Sequence, residues 1–91
     1  MLVALMAKDR AGGLPIRQEN RPAHLAYLES SGESVAQAGP LLDEEGGMIG
    51  SLIILDVPDM DSARAWAEAD PYAKAGLFES VTLTHWKRVI G

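Results

Sequence analysis

Hydrophobic residues run unbroken from position 2 to 7 (Leu-Val-Ala-Leu-Met-Ala), which suits a short strand covered on both faces. Gly12, Gly13 and Pro15 then break any regular pattern, so residues 9–15 are predicted to be a loop. From 17 to 33 the apolar period lengthens to three and four, placing His24, Leu25 and Leu28 on one face of a helix. Pro22 either opens the strong part of that helix or kinks it, and Gly32 ends it. Residues 35–42 and 48–57 predict two strands, joined by Asp43-Glu44-Glu45-Gly46-Gly47 as an antiparallel hairpin. Pro58 stops the second of these, and Asp59 is an N-cap for a helix through Ala69. Met60, Ala63 and Ala67 make the inward stripe of that helix, with Trp66 beside it and Arg64 and Glu68 toward water. Pro71 disfavours continuation, residues 70–76 read as turn-like, and 78–90 as a final strand.

The order strand, helix, strand, strand, helix, strand is the ferredoxin-like βαββαβ arrangement, an α+β fold with an antiparallel sheet and both helices on one face, expected as a single domain over residues 1–91. Alternation makes both faces of the sheet apolar. Leu2, Ala4 and Met6 oppose Val3, Leu5 and Ala7, while Leu52 and Ile54 oppose Ile49, Ile53 and Leu55. Two helices cover one face only, so a second copy of the chain is expected on the other, giving a homodimer.

Composition narrows the partners. A chain of 91 residues buries only roughly 60 to 65% of its unfolded surface, so association helps it. Thirteen acids against 8 bases, a net charge of -5, argue against nucleic acid or an anionic membrane and in favour of a small molecule or another protein. Without cysteine there is no disulfide, thiolate nucleophile or Cys-based metal site. The longest apolar stretch, 48–55, is about ten residues too short to span a bilayer, and the opening residues lack a signal-peptide pattern, so the expected location is cytoplasmic.

Three stretches carry the candidate chemistry: Arg21-Pro22-Ala23-His24-Leu25-Ala26-Tyr27-Leu28, then Ala38-Gly39-Pro40-Leu41, then Asp70-Pro71-Tyr72 running on to Ala75-Gly76-Leu77-Phe78. With Gly50-Ser51 and Trp86 in the closing strand, the pattern resembles the YCII-related (YciI-like) family over essentially the whole chain. That resemblance implies a subunit of dimeric α/β-barrel type and a catalytic pair, which here would be His24 and Asp70. The family is defined better by fold than by reaction. One member is similar to a dehydrochlorinase of a chlorinated aromatic diol or triol.

Beside the resemblance stands what the residues themselves support. An imidazole oriented by a carboxylate is a usable general base; a histidine bonded to a backbone carbonyl is the structural alternative for His24. Asp70 before Pro71 is an ordinary helix cap, and the same side chain can let one oxygen cap while the other meets the imidazole. Substrate contacts are expected from Arg21, Gly39, Pro40, Ser51 and Tyr72. Arg21 would hold an anion or stay solvated, and Gly39-Pro40 would shape the edge strand, as a bulge or with backbone groups left free for a ligand. No nucleophile elbow supports a Ser-His-Asp triad, and no ligand spacing or phosphate loop supports a metal or nucleotide, so no cofactor is expected. Two functions follow from these residues: a cofactor-independent lyase, dehydrochlorinase-like enzyme or isomerase using a His-Asp dyad on a small, aromatic substrate, or a non-catalytic ligand-binding or accessory module.

Overall fold

The strands pair as one sheet in the computed structural model, which describes residues 1–91. β1 (Leu2–Asp9), β2 (Val35–Leu42), β3 (Met48–Asp56) and β4 (Phe78–Trp86) lie in the order β2-β3-β1-β4, antiparallel at each contact. Helices α1 (Leu14–Ser30) and α2 (Met60–Ala69) complete the ferredoxin-like βαββαβ order, and a four-residue helical turn, α3 (Pro71–Lys74), precedes β4. No helix is long and apolar enough to cross a membrane.

The two-residue alternation decides which side chains enter the core. Val3, Leu5, Ala7, Ile53 and Leu55 are at most 2% exposed and pack with Val57, Ala63 and Trp66, while Tyr27 and Leu28 of α1 close over them. Burying each large aliphatic side chain is worth about 1.5–3 kcal/mol, so this one face carries most of the hydrophobic stabilisation. A hydrogen-bonded loop fixes the end of α1 against α2: the Tyr27 hydroxyl donates to the Trp66 carbonyl, the Trp66 indole N–H to Ser31 Oγ, and Ser31 Oγ to the Tyr27 carbonyl. On the opposite face Met6, Leu52 and Trp86 stay exposed.

Several boundaries differ from the sequence reading. Helix α1 starts at Leu14, because Pro15 sits in the first turn, where its missing N–H leaves no bond unmade. Pro22 is therefore inside the helix and does not open it. Asp9 belongs to β1, paired across to Phe78, and not to the loop. β4 ends at Trp86 because its partner there, Leu2, is the first residue of β1; the residues beyond have no strand to pair with. Gly39 and Pro40 form regular pairs with Leu52 and Ser51, and the register shifts of β2 fall instead at Val35/Gln37 and Leu41/Leu42, so of the two readings of Gly39-Pro40 the bulge is the one the register excludes. Leu25, expected on the inward stripe with His24, is half exposed.

Candidate active site

Arg17, Arg21 and His24 recur at the four and three residue spacing of one helical face, and that face of α1 overlies the sheet where β2 meets β3. Between them lies a cleft of about 200 Å³, lined by Arg17, Arg21, His24, Ser51, Tyr72 and the wall residues Ala38 to Pro40. Gly50 lets the strands come together beside Ser51, since a Cβ there would collide with the Ala7 carbonyl oxygen. No group of three His, Asp or Glu side chains is arranged to hold a metal ion.

Asp70 ends α2 and caps α3, its Oδ1 accepting the Tyr72 backbone N–H at 2.9 Å. The same Oδ1 lies 2.8 Å from His24 Nδ1, with both side chains buried. One oxygen thus does both tasks, where a division between the two oxygens was expected. Oδ2 is buried with no partner. An ionised carboxylate only accepts, so Nδ1 carries the proton and the lone pair of His24 resides on Nε2, which has no protein partner. The imidazole stacks on Tyr72 at 3.9 Å between centroids, 15° from parallel, and Phe78 meets Tyr72 edge-on at 6.0 Å.

Arg17 supports the same ring from buried ground. Its guanidinium binds Asp9 through two bonds of 2.7 and 2.8 Å, donates to Ser51 Oγ at 2.9 Å, and lies 4.6 Å from the Tyr72 ring centroid. Burial alone would lower its pKa, but the hydrogen bond and charge of Asp9 outweigh that and leave it above the ordinary value. Burial raises the Tyr72 phenol pKa; Arg17 and Arg21 pull it back, and Asp70 adds to the rise. Tyr72 therefore remains a neutral donor through the physiological range.

The structure brings together Arg21, His24, Gly39, Pro40, Ser51 and Tyr72 as cleft lining, with Asp70 immediately behind His24. Sequence reasoning missed Arg17 and its counter-ion Asp9. The signal is present in the spacing of Arg17, Arg21 and His24, but the apolar pattern starts the helix at Arg17 and puts Asp9 in a loop.

Residues 1–87 match the YCII-related domain. The chain belongs to the YCII-related domain family. Its YCII-related relatives include Protein YciI of Escherichia coli O6:H1, 37% identical over 98% of this chain and 99% of that protein, and an uncharacterized protein of Haemophilus influenzae at 31% over the same shares. Among solved structures it is similar to 5-chloro-2-hydroxyhydroquinone dehydrochlorinase (TftG) from Burkholderia phenoliruptrix in complex with 2,5-dihydroxybenzoquinone. That likeness has a TM-score of 0.88 at 37% identity, over 96% of this chain and 94% of that one. A NIPSNAP domain protein from Burkholderia xenovorans, at a TM-score of 0.53 and 16% identity over 100% and 98% of the two chains, shares the fold alone.

Proposed function

We propose that this YCII-related protein is a cofactor-independent enzyme in which His24, oriented by Asp70, takes a proton from a small hydroxylated ring substrate. Loss of a leaving group, as in dehydrochlorination, or isomerisation follows that proton transfer. The observation that carries the reading is the buried 2.8 Å contact of His24 Nδ1 with Asp70, which leaves Nε2 as the proton acceptor on the cleft side. Asp70 holds the tautomer and stabilises the imidazolium once it forms. Arg21, Gly39, Pro40, Ser51 and Tyr72 are the proposed substrate contacts. The likeness to a dehydrochlorinase crystallised with a dihydroxybenzoquinone supports a single oxygenated ring as the substrate. Cleft size agrees, since about 200 Å³ lies below the 300–1,000 Å³ typical of sites for drug-sized ligands.

The test incubates the protein with chlorinated and unchlorinated hydroxyquinols in D₂O and follows chloride release and deuterium incorporation. Turnover by the wild-type protein is expected to fall about 10²- to 10⁴-fold in His24→Ala and Asp70→Asn. If every compound that binds is recovered unchanged and undeuterated, the cleft belongs to a binding module and the catalytic reading fails.

The working unit in this proposal is a homodimer. Met6, Leu52 and Trp86 lie exposed on the helix-free face of the sheet, with half-buried Leu2 beside Trp86, and an isologous contact between two such faces would cover them.

A further inference from the structure

The cleft is rich in side-chain donors and holds no carboxylate in its lining. Arg17 is neutralised by Asp9, but Arg21 has no carboxylate within ion-pair reach, although the chain carries 13 acids to 8 bases. An unpaired guanidinium in the lining of an acidic protein's cleft is a placed charge. Ser51 Oγ already accepts from Arg17 Nη2, so its own hydrogen is left to donate, and it has no acceptor in the protein. The Tyr72 hydroxyl is a third donor, kept protonated by its burial. Against these, the His24 Nε2 lone pair is the one side-chain group facing the cleft that accepts without also carrying a hydrogen to donate, since the Asp70 oxygens are buried behind the imidazole. Gly39 adds open space to the wall and no side chain.

We propose that this cleft takes its ligand as an oxyanion, a ring or enol bearing an ionised hydroxyl, and that Arg21 is the residue that selects for that charge, with Ser51 and Tyr72 sharing the oxygen atoms. The inference rests on the catalytic reading of His24 only for what happens to the proton. A neutral ligand whose hydroxyl is acidic enough gives that proton to Nε2, forming the imidazolium, while the bonding pair stays on the ligand oxygen opposite Arg21; a weakly acidic phenol such as hydroquinone keeps its proton and gains nothing from the charge of Arg21. A ligand that arrives ionised needs no such step and binds by the same donors.

Calorimetry with two probes tests this. 2,5-Dihydroxybenzoquinone is a vinylogous acid, ionised at neutral pH, and hydroquinone is a neutral ring with oxygens in the same para relation. Arg21→Gln is expected to weaken binding of the first about tenfold and to leave the second unchanged, and Arg21→Lys to recover part of the loss. Arg21 is exposed on the surface of α1, so these variants fold. His24→Ala is expected to keep the preference for the ionised probe while losing turnover, which separates failure of the catalytic reading from failure of this one. Arg21→Gln binding the quinone as tightly as wild type, or losing both probes alike, would overturn the assignment.

Discussion

Asp70 is 1% exposed, takes two donors on Oδ1 and leaves Oδ2 with none. A buried carboxylate in that state depends on His24, and the dependence can be measured. His24→Ala strips the imidazole from a buried acid, for an expected loss on the order of 2 kcal/mol and a fall in melting temperature of roughly 8 °C. Asp70→Ala is expected to cost as much or more, because it also uncaps α3. The two losses should not add: a double-mutant cycle by urea denaturation is expected to give a coupling of about 1–3 kcal/mol. Additive losses would mean that the 2.8 Å contact carries no energy. At this scale the sequence was most legible where a motif was local, as in His24 within its helical stripe and Asp70 before Pro71. It was least legible for Arg17 and Asp9, eight residues apart with Gly12, Gly13 and Pro15 between them. Their bidentate bond exists only because β1 continues past Ala7, and nothing in the local composition announces that continuation.

Elements were legible where their ends are set by their own residues. β2 stops where its pattern predicts because a five-residue hairpin loop follows it, and α2 starts where predicted because Asp59 accepts from Ser62 N–H at 2.7 Å. Where an end is set by a partner strand, as at Trp86, apolar composition alone ran the element too far. The Asp59 cap also predicts a pH response. Hydrogen bonds from the Ser62 backbone N–H and side chain hold its pKa below the ordinary 3.8. A lowered pKa contributes stability that is complete above the ordinary value and is lost as pH falls through the lower folded-state value. Asp59→Asn, which caps without ionising, is expected to flatten the acid limb of the melting temperature against pH below 3.8. In α1, Pro22 has no N–H for the Gln18 carbonyl and lies between Arg21 and His24. Pro22→Ala is expected to raise stability by up to about 3 kcal/mol, because the new N–H can reach the Gln18 carbonyl, and to weaken binding of 2,5-dihydroxybenzoquinone if closing that bond moves the arginine turn relative to the histidine turn. Thermal unfolding with and without the quinone reads both effects, and a gain in stability with unchanged affinity would show that Pro22 does not shape the cleft.

For the whole molecule, the alternation that filled the core also left Met6, Leu52 and Trp86 on a face that no helix covers. The proposed homodimer is expected to show twice the 9.7 kDa chain mass in light scattering at micromolar concentration. Met6→Lys, which adds a charge at the centre of that face, is expected to halve the mass and keep the far-ultraviolet circular dichroism. A wild-type monomer would remove the proposal. The strand order has a consequence for the chain during its own synthesis. β1 emerges first yet lies inside the sheet, pairing on one side with β3 and on the other with β4, whose residues run from Phe78, opposite Asp9, to Trp86, opposite Leu2. While the ribosome is still adding the second half, β1 and β3 can zip together with β2, but the other flank of β1 presents bare backbone N–H and C=O groups until residues 78–86 leave the exit tunnel. The same delay governs the cleft, since Asp70 and Tyr72 arrive only shortly before β4. A nascent chain stalled short of Phe78 therefore has a sticky edge and an unfinished site together, and its release as a well-behaved protein waits on one last strand.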